Sequence, residues 1–392
     1  MTGQFDFSTA PERRGSDSIK WGRFARPDRD ILPLWVADMD WPCCPEILDA
    51  ISKRNDHGVL GYAHAPDSCL EAVRTYLREH HQLDVPGKHI IWLPGMVPGL
   101  SVSCRAVGEP GDGVAFFTPI YPPFFKAPAD GGKTAQPCPL KVEEPTGRYT
   151  IDVEALERTL TPDTRMLMLC NPHNPVGRAF TADELAPVLA LCAERDIVLC
   201  SDEIHCDLIL DEEQYPHHCA HHHEGENGLR TITLMAPSKT YNIAGLGLSF
   251  AIIPDPQLRG TFKKAMGGFV PHPSPFAYAA GEAAYRHGEP WRKELLQTLR
   301  SHRDHLQASF GHGDFADLRM HPMEATYLAW IDARNLPVKD PHAFFLDKAD
   351  IAFSPGPDFG QPGYIRLNFG CPRSLLDQAF ERMQNALASL TV

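Results

Sequence analysis

Four short apolar runs in the middle of the chain, each closed by a polar loop, constrain this sequence more than any other feature. "GVAFF" (113–117) leads into "TPIYPPF", "RMLMLC" (165–170) into "NPHNPVG", "DIVLC" (196–200) into "SDEIHCD", and "TITLMA" (231–236) into "PSKTYN". Short apolar runs bounded by turn chemistry have the form of strands buried on both faces. Helical stretches fall between them. "TADELAPVLALCAERD" opens on Thr181 with Glu184 three residues later, a capping box, and continues with Leu185, Val188, Leu189 and Cys192. "SCLEAVRTYLREHH" offers the same box as Ser68 and Glu71. Strands alternating with helices predict an α/β layer on a mostly parallel sheet.

The end of the chain reads differently. "PWRKELLQTLRSHRDHLQASF" (290–310) is a long amphipathic helix with Pro290 in its first turn. "YLAWID" and "YIRLNFG" read as strands, and in the second Ile365, Leu367 and Phe369 alternate to one face while Arg366 and Asn368 take the other. A last helix carries Leu376, Phe380, Met383, Leu387 and Leu390 at helical spacing, with Ser374 as its expected N-cap. These elements predict a second, smaller α+β unit beginning near residue 286. A chain of 392 residues is long enough for two such domains.

Composition narrows the function classes. The net charge is −13, with 50 acidic against 37 basic residues and no Lys/Arg run, which disfavours a nucleic-acid surface. No stretch approaches the roughly 18–20 apolar residues of a membrane span, and the polar start "MTGQFDFSTAPERRGSDS" has no apolar signal-like core. Eleven cysteines without CxxC spacing predict reduced thiols in a cytoplasmic protein.

In open parallel sheets, ligands sit beyond the carboxyl ends of the strands. Tyr121, Asn174, Asp202 and Lys239 all follow such ends. Singly, each has an ordinary reading as packing, turn or surface residue. Together they suit one chemistry. A desolvated lysine forms Schiff bases with aldehydes. A buried carboxylate keeps a pyridine nitrogen protonated, an amide donates to a phenolate oxygen, and a tyrosine ring stacks on a heteroaromatic face. That set describes a pyridoxal 5'-phosphate pocket. An anion site is available at Gly95, Met96 and Val97 in "LPGMVPGL", where backbone N–H groups would open a helix.

The segments "NPHNPVG", "SDEIH" and "SKTYNIAG", in this order and spacing, resemble fold-type I pyridoxal-phosphate enzymes of the aspartate aminotransferase superfamily. "PLWVADMDW", "GYAHAP", "SDEIHCDLIL", "APSKTYNIAGL", "PMEATYLAWID" and "PGPDFGQPGYIRLNFGCPR" are similar to its cystathionine β-lyase branch. The resemblance runs from about Trp35 to Arg373. It implies a mostly parallel seven-stranded sheet in a large cofactor-binding domain (46–285), a smaller C-terminal α+β domain (286–392), and an N-terminal segment (1–45) packing with the latter.

The resemblance also implies roles. Lys239 would hold the cofactor covalently and later move the substrate's α-proton. Asp202 would pair with the pyridinium nitrogen, Asn174 with the ring phenolate, Tyr121 would stack on the ring, and Ser238 would contact the phosphate. Tyr62 would reach the phosphate of a neighbouring subunit, which implies a homodimer with shared sites. Arg366 would grip the substrate α-carboxylate, beside Asn174 and Tyr121. His205 joins the cofactor contacts where aminotransferases of the superfamily commonly carry Tyr, and Gly247 stands where they commonly carry a phosphate-binding Arg. Both departures favour a carbon–sulfur β-lyase acting on cystathionine or a related cysteine S-conjugate. An aminotransferase on the same fold is the second reading, and a regulatory binding protein the third. The stretch "HHCAHHHEG" (217–225) could offer zinc or nickel ligands through its histidines, Cys219 and Glu224, but lacks helix periodicity. We read it as a solvated loop without a metal.

Overall fold

The computed structural model describes residues 4–390. Its central sheet has seven strands: β1 (Ile90–Leu93), β2 (Gly113–Thr118), β3 (Thr134–Pro139), β4 (Thr164–Cys170), β5 (Val198–Asp202), β6 (Thr231–Met235) and β7 (Ser249–Ile252). They lie in the order β1-β7-β6-β5-β4-β2-β3. Only β7 runs against its neighbours; β6, β5, β4, β2 and β3 are parallel. The four apolar runs thus become the adjacent parallel strands β2, β4, β5 and β6.

Their near-continuous hydrophobicity is explained by two-sided burial. Val114 and Phe116 of β2, with Met166 and Met168 of β4, pack in one core layer. Ala115 and Phe117, with Leu167 and Leu169, pack in the other. Of the helices that bear on the site, α1 spans Pro45–Asp56, α2 Asp67–His81, α3 Met96–Ala106, α4 Ala182–Glu194 and α5 Pro275–His287. Leu100 of α3 joins the first layer, and Leu185, Val188 and Leu189 of α4 the second. The predicted capping box of α4 forms in full, Thr181 Oγ1 accepting from Glu184 N–H and the Glu184 carboxylate from Thr181 N–H.

After α6 (Glu289–Ser309) come β8 (Arg319–Met320), β9 (Leu328–Asp332), β10 (Ser354–Pro355) and β11 (Tyr364–Asn368), and the chain closes on α7 (Arg373–Ala388). The four strands form an antiparallel sheet in the order β8-β9-β11-β10. The N-terminal segment belongs with these elements: Leu32–Pro33 pairs in parallel with Ile351–Ala352, and Leu34, Met39 and Trp41 share a core with Leu328, Leu367 and Leu376.

Two expected caps do not form. The N-cap of α2 is Pro66, not Ser68, whose hydroxyl donates instead to Glu282 of α5 at 2.8 Å. The N-cap of α7 is Pro372, not Ser374. In both, the proline's fixed φ is already suited to an extended residue just before a helix, so the first turn starts earlier than the serine.

The histidine-rich stretch is not a solvated loop. Cys219 and Ala220 are buried, His217 Nε2 sits 2.8 Å from Glu203 Oε2, and Ala220 N–H donates to Glu203 Oε1 at 2.8 Å. His222 Nε2 also bonds the carbonyl of His81 at 3.0 Å. Glu203 is fully buried beside the central sheet, and a buried carboxylate needs such partners.

Candidate active site

Parallel strands present their carboxyl ends at one edge, and four polar residues arrive there. Tyr121 follows β2, Asn174 follows β4, Asp202 ends β5, and Lys239 lies just beyond β6. All four line a cavity of about 150 Å³ together with Gly95, Met96, Val97, His205 and Ser238. Arg366, on β11, reaches this group from the antiparallel sheet: its Nη1 donates to Asn174 Oδ1 at 2.9 Å. Tyr62 is elsewhere. Its side chain is fully exposed, at 112% of the reference area, and does not line its own chain's cavity.

Lys239 is deeply placed. Its Nζ donates to the carbonyl of Ala37 at 2.6 Å, and the Tyr327 hydroxyl donates to the same oxygen at 3.0 Å. Burial pushes the ammonium down to about 8; Arg366 adds to the fall, while Asp38 and Asp202 oppose it. Asp202 is displaced the other way. Burial pushes its carboxyl up to about 7, against the Ile204 N–H that its Oδ1 accepts at 3.1 Å. Two buried groups held near neutrality across one cavity mark a site where protonation states matter.

The remaining charges follow the same logic. Burial, with Lys239 and Arg366 nearby, drives His205 down to about 3, so its ring is neutral, and its Nδ1 is buried without a partner. Arg366 is pushed down to about 10 by burial. Its Nη2 donates to Trp35 O at 3.0 Å and Ser354 Oγ at 3.2 Å, and its guanidinium lies 4.6 Å over the Phe359 ring.

These residues fit an aromatic aldehyde carrying a phosphate. Gly95 is the N-cap of α3 and makes no side-chain cap, so the first N–H groups of that helix face the cavity end without an internal partner. At the opposite chemical extreme, Asp202 is a buried carboxyl whose Oδ1 accepts from Ile204 N–H, with no ion pair among the described residues. Gly99 lies inside α3, close against Leu93 and Leu234. Gly247 has φ +66°, and a Cβ there would stand 2.7 Å from Pro94 O. No arginine can occupy this position without moving the backbone that carries the α3 N-terminus.

Several contributors carried no readable signal. Ala37 acts through its backbone oxygen. Tyr327 and Asn242 act by fixing residues 37–41: Asn242 Oδ1 accepts from Met39 N–H at 2.9 Å, and its Nδ2 donates to Met39 O at 3.0 Å and Trp41 O at 2.7 Å. Asn242 has φ +56°, which asparagine tolerates better than most residues.

Comparison with known proteins agrees with this geometry. The family described as aminotransferase class I and II matches residues 29–383. Cystathionine beta-lyase PatB of Bacillus subtilis (strain 168) is 34% identical over 401 residues, covering 98% of this chain and 100% of that protein. The crystal structure of OvoB superposes with a TM-score of 0.93 at 40% identity, covering 98% of this chain and 100% of that one. Cystalysin from Treponema denticola, whose structure contains a pyridoxal 5'-phosphate cofactor, gives a TM-score of 0.93 at 33% identity, covering 98% and 99%. With a match spanning both sheets and every strand-end residue of the cavity, this chain belongs to the aminotransferase class I and II family.

Proposed function

We propose that this chain is a pyridoxal-phosphate-dependent carbon–sulfur β-lyase that cleaves L-cystathionine or related cysteine S-conjugates, with water, to a thiol, pyruvate and ammonia. The observation that carries this reading is the buried Lys239, at about 8, sharing one cavity with the buried Asp202. The cystathionine β-lyase name of a relative that aligns along its whole length supports the choice of reaction.

Each residue then has a task. Lys239 Nζ would hold the cofactor aldehyde and, in its free, uncharged form, would serve as the base for the substrate's α-proton. Asp202 would meet the ring nitrogen as a carboxylate, Asn174 would donate to the ring oxygen, and Tyr121 would stack on the ring. The α3 N-terminus (Gly95, Met96, Val97) and Ser238 hold the phosphate. His205 fills the cavity wall as a neutral ring. Arg366 takes the substrate α-carboxylate through its planar fork. Pyridoxal 5'-phosphate supplies an electron sink for the charge left at the α-carbon. Arg366 and Lys239 orient the Cα–H bond, and a thiolate departs readily from the neighbouring carbon because its charge is stable.

Three coarser features are part of the reading. The exposed run Val59, Leu60 and Tyr62 is largely solvent-facing, at 64%, 61% and 112%, which supports a homodimer in which Tyr62 reaches the partner's phosphate site. The division into a large domain (46–285) and a small one (286–392) with the segment 1–45 is supported by the pairing of Leu32–Pro33 with Ile351–Ala352. All eleven cysteines are free thiols, which supports a cytoplasmic setting. Among the described residues no helix is long and apolar enough to cross a membrane.

The test is an absorption spectrum joined to a product assay. Protein given pyridoxal phosphate should gain the band of a lysine-bound cofactor, and Lys239→Ala should abolish it; without that band the cofactor site is wrong. L-cystathionine or S-alkyl-cysteines should yield pyruvate without an added keto acid. If keto acids accept the amino group and no pyruvate forms, the lyase reading falls while the cofactor site stands. Hybrids of Tyr62→Ala and Lys239→Ala chains, each inactive alone, should regain activity if sites are shared.

A further inference from the structure

The histidine-rich stretch plays no part in the chemistry above, yet it borders a cavity of about 300 Å³ with His81, Cys206, Asp207 and Arg292. His81 is the last residue of α2, and Cys206 and Asp207 lie in the loop that begins after Asp202. His81, Cys206 and His217 each offer a ligand atom, and these three atoms lie within 4.8 Å of one another. His81 Nε2 is 3.9 Å from Cys206 Sγ and 2.9 Å from Asp207 Oδ1. The side chains of His81, Asp207 and His217 are only 6%, 5% and 7% exposed.

We propose that His81, Cys206 and His217 bind a borderline-soft divalent cation, of which Zn²⁺ is the best match, with a water as the fourth ligand. Two imidazoles and a thiolate are zinc-type donors, and a water completes a four-coordinate site. Neighbouring ligand atoms around a tetrahedral zinc stand about 3.5 Å apart, a spacing that the three atoms here, all within 4.8 Å of one another, approach. On binding, the Cys206 thiol releases its proton to solvent and the sulfur takes up the metal.

The surroundings support the assignment. His217 gives Nε2 to Glu203 Oε2 at 2.8 Å, while its Nδ1 is buried with no partner. A carboxylate on one ring nitrogen and a free second nitrogen is the arrangement of a metal-bound histidine with its supporting acid. An ion pair between His81 and Asp207 accounts for neither that orphaned nitrogen nor the Cys206 thiol turned to His81. Glu203, His217 and Cys219 form a second cluster, but both Glu203 oxygens are already engaged by His217 and Ala220. Glu224, a ligand candidate in the sequence, is spent on Thr231 N–H and Oγ1 at 2.6 and 2.7 Å. The nearby Arg292 is balanced by Glu289 and Glu212, each at 2.7 Å. A bound ion would tie the end of α2 and the 217–223 stretch to the loop that leaves Asp202.

Cofactor-loaded protein freed of metal by a chelator would be titrated with Co²⁺, then Zn²⁺. The expected result is a single Co²⁺ per chain with the intense visible bands of a tetrahedral ion and a thiolate charge-transfer feature, displaced by Zn²⁺, and a higher melting temperature with either metal. Cys206→Ser should remove the charge-transfer feature, and His217→Ala should weaken binding by more than the about 10- to 100-fold that loss of an outer-shell partner costs. The double variant His218→Ala/His223→Ala, outside the set, should bind as the parent does. A weak octahedral spectrum, an unchanged spectrum in Cys206→Ser, or binding lost in the double variant overturns the proposal. Should Cys206→Ser not fold, unchanged affinity in His217→Ala overturns it alone. No lyase activity is read, so failure here and failure of the lyase assignment are separate.

Discussion

Arg366 Nη1 donates to Asn174 Oδ1 at 2.9 Å, a bond running from the antiparallel strand β11 to the loop after the parallel strand β4. Because arginine can only donate, this bond fixes the amide with its oxygen toward Arg366 and leaves the Asn174 NH₂ free to donate into the cavity. One contact therefore sets both the residue proposed for the substrate carboxylate and the donor proposed for a ring oxygen.

Arg366→Lys should expose this coupling. A lysine keeps the charge but cannot reproduce a fork that also reaches Trp35 O and Ser354 Oγ. Losing charged hydrogen bonds of this kind costs about 2–3 kcal/mol. Steady-state kinetics with an S-substituted cysteine should show kcat/KM down about 100-fold, mainly through KM, with the cofactor's absorption band retained.

Asp202 predicts a pH effect in the cofactor-free protein. Its carboxyl stands at about 7 when folded, against 3.8 for an ordinary aspartate. The folded chain thus keeps a proton that the unfolded chain has released. The stabilisation from this group is full below the unfolded value and is lost as pH rises through about 7. Asp202→Asn removes that loss. Melting curves of the cofactor-free forms should show the variant flatter across this window and the more stable of the two above it. Loaded with cofactor, the same variant should lose activity, because the ring nitrogen loses its carboxylate.

Gly247→Ala should lower stability by about 1–3 kcal/mol from the left-handed backbone alone, before the approach to Pro94 O is counted. Thermal melts and a cofactor titration would show a lower melting temperature and weaker cofactor retention together. Gly247→Arg should behave worse rather than restore a transaminase-like phosphate contact.

Glu324 holds the buried Arg178, the residue that follows the "NPHNPVG" segment. Their side chains are 5% and 0% exposed and 3.0 Å apart, and Glu324 also pairs with Arg148 at 2.8 Å. Removing one partner of a buried pair costs about 3 kcal/mol or more. Glu324→Ala should show that loss in denaturant unfolding, partly relieved because Glu184 still pairs with Arg178 at 2.7 Å.

What the sequence disclosed follows a physical line. Tyr121, Asn174, Asp202 and Lys239 were legible because parallel strands must end at one edge, so polar residues after apolar runs converge. Arg366 was legible from strand alternation. Ala37 was not, since a backbone oxygen has no residue signature. Ser68 and Ser374 misled because a preceding proline opened each helix earlier. The 217–225 stretch misled because its anchor, Glu203, lies in another loop, and only the fold brings the two together. Gly247 was noticed as a missing arginine, but its reason, the approach to Pro94 O, is a packing distance and not a pattern.

The segment that presents Ala37 O to Lys239 is pinned by the far end of the chain. Leu34 N–H donates to Ala352 O at 2.9 Å, Asn368 N–H to Leu34 O at 3.0 Å, and Asp40 N–H to Gly370 O at 2.9 Å. During synthesis Lys239 and Asp202 leave the ribosome well before β11. Until that strand is released, Leu34 and Asp40 lack Asn368 and Gly370, so residues 34–41 are held only in part and Ala37 O is not fixed against Lys239, whose amine in water is protonated and a poor nucleophile. Cofactor capture is thereby deferred to the completed chain, and a nascent chain halted before Tyr364 should emerge unable to trap the aldehyde.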